Sequence, residues 1–310
     1  MNQQLDQLRL RMAELGVDAF LVTDEKNRAY LSGFTGSSGA LLVTADTAYL
    51  VSDFRYFEQA GRQAPEWTLW KQKTTLSDAV SELLGEIKAE RVAFEADAMT
   101  VAEWRAYQAK EGAEWVVTEG LVRRLRSVKR SDEIEAIRSA QRITDAAARE
   151  VPRLIQPGLT EKQVAWELEK LMRDLGADGP AFEIIVASGP NSALPHHRPT
   201  ERIIQENEMV LVDFGARLAG YHSDMTRTYF TGEPTEEYAR IYQIVLDALH
   251  EAEQRITATS SAKAMDLVAR DHIGGHGYRE AFGHGLGHGV GLDIHEMPSL
   301  SFRVSDEELL

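Results

Sequence analysis

Between Gly283 and Gly291 every odd position is glycine, and the even positions carry His284, Leu286, His288 and Val290 within the run FGHGLGHGVGLDIHE. Few backbone conformations accept such a stretch. Each interior glycine costs a helix about 1 kcal/mol relative to alanine. In an extended strand, where side chains alternate faces, both histidines share one side and the other side has no Cβ atoms. The stretch is therefore predicted as a strand whose bare face admits another backbone or a ligand. His295 has the opposite parity and needs a bulge or turn to join His284 and His288. The competing reading is a glycine-rich strand whose histidines are simply buried and hydrogen-bonded.

The 310 residues suffice for two domains. Leu5, Leu8, Met12 and Leu15 recur at helical spacing up to Gly16. Short β-rich runs follow at 17–23, 39–44, 48–52 and 91–96, with a helical stretch from about residue 77 to 88. This alternation predicts an α/β domain over roughly the first 120 residues. Gly33, Gly36 and Gly39 form neither a GxGxxG fingerprint nor a P-loop. The basic run LVRRLRSVKR (121–130) is read as a solvated face, with substrate steering as the minor option. Ser131 is read as the N-cap of a helix over 132–154, and the domain boundary falls just before it. Thr160 and Gln163 make a capping box for a helix to about Leu175. A strand at 182–187 then leads into SGPNSALPHHRPT, where Pro195 and Pro199 stiffen the segment holding His196 and His197.

MVLVDFG (209–215) and YHSDMTRTYF (221–230) read as an antiparallel hairpin turning between Leu218 and Ala219. That register sets Asp213 opposite Asp224, each mid-strand, with Cβ atoms about 5 Å apart on one face. Like charges so placed repel, and burying them is costly. A divalent cation between them reverses the sign of the interaction. Alternatively, one acid faces solvent at a strand end. Helices over 236–256 and 262–272 precede the glycine-histidine stretch. Two carboxylates and an imidazole suit manganese, cobalt, iron or zinc better than calcium or magnesium. An aspartate shared between two ions would support two-metal hydrolysis. The sequence holds no HExxH motif.

A net charge of −15 argues against nucleic acid or an anionic membrane surface as the main partner. The absence of cysteine removes disulfides, thiolate ligands and thiol nucleophiles, and is compatible with a reducing compartment. No run approaches the ~20 apolar residues of a membrane span. The N-terminus lacks the apolar centre of a signal peptide. A soluble cytoplasmic protein is expected.

Taken together, SGPNSALPH, VDFGARLAGYHSDMTRTYF and FGHGLGHGVGLDIHE closely resemble the Xaa-Pro aminopeptidase and prolidase (Xaa-Pro dipeptidase) family of metallopeptidases. The resemblance covers nearly the whole chain, including the junction VRRLRSVKRSDEI. It implies an α/β (α+β) architecture, with a creatinase/prolidase-type N-terminal domain over 1–124 and a pita-bread domain over 131–310. It also implies two divalent metal ions, manganese foremost and cobalt or zinc as options. Asp213 and Asp224 correspond to aspartate ligands, Asp224 bridging, and His288 to the histidine ligand. His196 and His295 match histidines that contact substrate and assist proton transfer, while His284 matches a position behind the ligands. The implied activity is hydrolysis of the bond between an N-terminal residue and proline, in a dipeptide or a longer peptide. A homodimer is implied too, in which the partner's N-terminal domain helps form the pocket.

Members of this family carry two further glutamate ligands, one in an EPG motif and one in a later strand. This sequence ends at SFRVSDEELL before either, and Glu296, Glu307 and Glu308 do not occupy matching positions. The expectation is an incomplete chain whose pita-bread domain lacks its last strands, the alternative being a shortened protein of weak or no activity. The competing functions are a creatinase-like amidinohydrolase, a methionine aminopeptidase, or a non-catalytic member that binds peptides or protein partners.

Overall fold

The computed structural model describes residues 3–110, 112–305 and 309–310; Glu307 and Glu308 lie outside the described residues. The chain divides into two compact units, the first ending at Val128 and the second beginning at Lys129.

The first unit is built on a six-stranded mixed sheet of β1 (Ala19–Val22), β2 (Ala40–Thr44), β3 (Ala48–Ser52), β4 (Thr68–Lys71), β5 (Arg91–Glu95) and β6 (Glu114–Thr118), in the order β4-β3-β2-β1-β5-β6. Every residue of the central strand β1 is buried, which is why AFLV reads as a continuous apolar run rather than an alternating one. Helices α1 (Gln3–Leu15), α2 (Glu25–Ser32), α3 (Phe57–Gln63), α4 (Leu76–Ile87), α5 (Val101–Gln108) and α6 (Leu121–Ser127) complete the unit. The strands at 19–22, 40–44, 48–52 and 91–95 and the helices α1 and α4 match the spacing. α2 has no apolar stripe to announce it, because its buried face includes Asn27, Arg28 and Ser32. The Arg28 guanidinium turns inward and donates to the carbonyls of Thr23, Gly36 and Gly39.

The basic run keeps its expected solvated face at Arg123 and Arg124 but departs from it at Arg126. It folds as α6, and Arg126 is only 2% exposed, donating to Asn27 Oδ1 at 2.7 Å. Asn27 in turn donates to the buried Glu95 at 2.8 Å, so the cation is drawn inward by a carboxylate one residue away through the amide.

In the second unit, α7 (Ser131–Leu154) and α8 (Glu161–Asp174) pack on two small antiparallel sheets. One contains β8 (Ile185–Ser188), β9 (Met209–Phe214) and β12 (Met225–Phe230), in the order β12-β9-β8. The other contains β7 (Gly179–Pro180), β10 (Ala216–Leu218) and β11 (Tyr221–His222), in the order β11-β10-β7. Val151, Leu168, Met172, Val210, Val212 and Phe214 are fully buried between helices and strands. A second helix pair, α9 (Glu236–Arg255) and α10 (Ala262–Gly275), has its own core around Ala248, Ala252 and Ala269. The two-stranded ribbon β13 (Gly287–Gly289) and β14 (Glu296–Leu300) completes the unit.

Two local expectations are corrected. The cap of α7 is Arg130, not Ser131, because the Glu133 side chain reaches back to the Arg130 N–H. The hairpin also turns one residue later than predicted. Leu218 pairs with Tyr221, and the turn residues Ala219 and Gly220 both take positive φ, +50° and +83°. Such a two-residue turn matches the twist of the flanking strands. The Asp178 carboxylate fixes it by accepting the Ala219 N–H at 2.7 Å. As a result Asp213 lies opposite Thr226, not Asp224.

Candidate active site

Asp213 sits in β9, between β8 and β12. Asp224 occupies the break between β11 and β12, so it is not mid-strand. The break has a steric origin: a Cβ at Gly215 would run into the Ser223 carbonyl, so only glycine lets the two chains cross there. Ser223 is held by Thr144 from α7, hydroxyl to hydroxyl at 2.7 Å. The two aspartates thus share a side of the hairpin, offset by two positions along the ladder rather than directly opposed.

The ribbon brings in the histidines. Its glycines are where β14 presses closest: a Cβ on Gly289 would lie 2.5 Å from the Met297 carbonyl, and one on Gly285 2.8 Å from that of Leu300. The face without Cβ atoms is therefore covered by another backbone, as the alternation implied. The regular ladder is short, however. A register shift between His288 and Gly289 and the turn closed by Gly291 N–H to the Asp293 carbonyl bring His295 back to His288. Their rings meet edge to face with centroids 4.2 Å apart. His222, two residues before Asp224, donates from both its backbone N and its Nδ1 to the Gly291 carbonyl, each at 2.9 Å, which ties the hairpin to the ribbon.

His288 donates from Nδ1 to the Gly289 carbonyl at 3.0 Å and points Nε2 at Asp224 Oδ2, 3.3 Å away. A backbone carbonyl on one ring nitrogen fixes the tautomer that leaves the other free to bind a cation. The hydrogen bond with Asp224 raises the His288 pKa above the ordinary histidine value, against a smaller effect of burial. Burial pushes Asp213 up to about 6; the Thr226 side chain opposes this, while the charge on Asp224 adds to it and His288 and His196 reduce it. Asp213 Oδ1 is buried and has no hydrogen-bond partner among the described residues. His295 is lowered by burial and by the charges of His288 and His196.

Asp213, Asp224, His196, His288 and His295 therefore act on one another electrostatically. Among the described residues, no three such side chains converge closely enough to hold a cation as they stand. The donor types nonetheless fit a divalent ion: two carboxylates, one with an orphaned buried oxygen, and an imidazole with Nε2 turned inward. His284 points elsewhere. Its Nδ1 donates to the Gly285 carbonyl at 2.8 Å and its ring packs edge-on against Phe282.

The sequence model of metallopeptidase family M24 matches residues 135–310, and that of the creatinase/prolidase N-terminal domain matches residues 4–128. The chain belongs to metallopeptidase family M24. This M24 peptidase is 38% identical to the uncharacterized peptidase YqhT of Bacillus subtilis (strain 168), over 97% of the chain and 86% of that protein. A solved Xaa-Pro dipeptidase from Bacillus anthracis superposes with a TM-score of 0.95 at 40% identity, covering 97% of this chain and 85% of that one. An X-Pro aminopeptidase from Thermotoga maritima MSB8 gives a TM-score of 0.87 at 36% identity, covering 94% and 85%. The second unit has the pita-bread fold of the family, and the first is its creatinase-type N-terminal domain.

Several residues that build this M24 site carry no signal in the sequence. Arg270 of α10 forms a bidentate pair with the fully buried Asp266 and donates to the carbonyls of Phe282 and His284. Its guanidinium lies over both the Phe282 and Phe302 rings, 4.3 Å from each centroid. Asp266 also accepts the Leu286 N–H, so this pair anchors the start of a ribbon that has few side chains to anchor itself. Lys129 pairs with Glu296 at 2.9 Å, and Glu296 also accepts the Asp293 N–H beside His295. Glu161, which follows the capping Thr160, reads as an ordinary acid in a first helical turn, yet it is fully buried. A cavity of about 350 Å³ in the first unit, lined by Leu84, Tyr107 and Trp115, contains none of these groups.

Proposed function

We propose that this peptidase hydrolyses the bond between an N-terminal residue and proline, as an Xaa-Pro dipeptidase or aminopeptidase. In this reading Asp213, Asp224 and His288 hold divalent cations, manganese foremost, and His196 and His295 contact substrate. The observation that carries it is the orphaned, buried Oδ1 of Asp213, on the same side of the hairpin as an Asp224 carboxylate that meets His288 Nε2. The names of the relatives, one a dipeptidase and one an aminopeptidase, support both the proline specificity and the choice between substrate lengths.

Bound between these donors, divalent ions would supply Lewis-acid polarisation of the scissile carbonyl and an activated water. Three of the chain's own groups have defined parts. His288 is locked by the Gly289 carbonyl, so its orientation is settled before any ligand arrives. His295, held below the usual histidine pKa, is neutral near pH 7 and able to donate or accept a proton. His196 is exposed on its loop, while its neighbour His197 is buried. Proline removes the amide N–H and fixes φ, so recognition falls to shape and to donors on the flanking carbonyl and amine. The names of the relatives favour hydrolysis over a binding-only role.

The test is hydrolysis of Xaa-Pro dipeptides and of longer Xaa-Pro peptides by the manganese-loaded chain, with His196→Ala alongside. The reading expects turnover of one class and a loss of about 10²-fold or more in kcat for His196→Ala with metal content intact. Unchanged turnover in His196→Ala, or no hydrolysis of either class by the loaded chain, contradicts it.

A further inference from the structure

The loop from Ser188 to Thr200 presents His196, and fixing an exposed segment of this length has a large entropic cost. Pro195 and Pro199 restrict only their own neighbourhood. Four residues of the loop converge on one side chain. Glu161, the first residue of α8, is 0% exposed. Its Oε1 accepts the Ser188 N–H and hydroxyl, each at 2.8 Å, and the Asn191 side-chain amide at 3.0 Å. Its Oε2 accepts His197 Nε2–H at 2.8 Å, the Thr200 N–H at 3.0 Å and the Thr200 hydroxyl at 2.8 Å. One oxygen therefore holds the start of the loop and the other its end. His197 turns inward to the carboxylate, 8% exposed, and its neighbour His196 turns outward.

A buried carboxylate is a poor choice for stability alone, since an apolar residue of similar volume avoids the desolvation penalty. What it supplies is direction: charge-assisted bonds to four residues of one loop. A second clamp closes the same segment from outside, where Arg202 pairs with Glu208 and donates to the Ser188 hydroxyl.

We infer that Glu161 is the positioning residue for His196, holding both ends of the 188–200 loop so that this imidazole faces the Asp213 cluster. The inference rests on the reading above, in which His196 contacts substrate. Glu161→Gln keeps the shape but turns an amide N–H toward groups that are themselves donors.

In the manganese-loaded chain, Glu161→Gln is expected to lower kcat/KM for an Xaa-Pro dipeptide about 10- to 100-fold, with bound manganese per chain unchanged. Amide hydrogen exchange should quicken across 189–199 while β9 and β12 keep wild-type protection, which a general loss of stability would not do. Because the effect runs through His196, Glu161→Gln should cost little further activity in a His196→Ala background. Thr200→Val, which deletes one donor and spares the carboxylate, should give a smaller loss of the same kind and serves if Glu161→Gln fails to fold. Wild-type activity in Glu161→Gln, equal losses in both backgrounds, or exchange that quickens uniformly would overturn the inference. If His196→Ala is itself unimpaired, the role of His196 fails and the positioning claim with it; if His196→Ala is impaired and Glu161→Gln is not, only the positioning claim fails.

Discussion

His288 turns Nε2 to within 3.3 Å of the Asp224 carboxylate because its Nδ1 is already committed to the Gly289 carbonyl. The glycine next to the histidine thus has two duties: its carbonyl orients the ring, and its missing side chain lets β14 approach. Gly289→Ala would place a Cβ 2.5 Å from the Met297 carbonyl and 3.0 Å from that of Glu296, both backbone atoms with little room to retreat. The expected cost is about 1–3 kcal/mol by urea denaturation, together with loss of activity. Gly283→Ala meets nothing within 4 Å and should be near neutral, a control in the segment that leads into the ribbon.

Arg270 links α10 to the start of that ribbon through its planar fork and two aromatic contacts. Lysine reproduces the charge but neither the bidentate geometry nor the stacking. Arg270→Lys is therefore expected to destabilise the second unit, and Arg270→Ala more so, by about 3–5 kcal/mol, since it leaves Asp266 charged and buried. Chemical denaturation of the three proteins checks the order.

Asp213 is an acid whose folded pKa, about 6, lies above its ordinary value of 3.8. Its favourable contribution is complete below pH 3.8 and is lost as pH rises through 6. In the presence of chelator, Asp213→Asn should match the wild type in thermal stability near pH 4 and exceed it near pH 7.5. The gain is on the order of 1 kcal/mol once solvent screening is allowed for. Added manganese should reverse the order by stabilising the wild type alone.

Glu161 behaves in the opposite sense. Burial alone would raise its pKa, but the bonds from Ser188, Asn191, His197 and Thr200 more than offset that and hold it at about 2. Its contribution is present above the ordinary value of 4.5 and lost as pH falls through about 2. Acid unfolding followed by circular dichroism should accordingly be less steep between pH 4.5 and 2 in Glu161→Gln than in the wild type.

The sequence revealed those parts of the site that have a period or a cap. Alternating glycines announced a strand with one bare face, and Thr160 with Gln163 announced the start of α8, whose capping box is present. The hairpin register was not legible, because it depends on Ala219 taking a positive φ that a distant carboxylate, Asp178, holds in place. Arg126 looked like one more surface cation, but Asn27 and Glu95, from other elements, help draw it inside. Glu161 was hidden for a similar reason. Its position in a first helical turn explains an acid fully, and nothing local signals that a loop some thirty residues on folds over it.

Cation binding by Asp213, Asp224 and His288 is tested most directly by calorimetric titration of manganese into the chelator-stripped chain. The prediction is uptake by the wild type and at least about tenfold weaker binding by Asp224→Ala and His288→Ala, with hydrolysis of Xaa-Pro substrate lost in parallel. Binding of equal strength in the wild type and in both variants would contradict it.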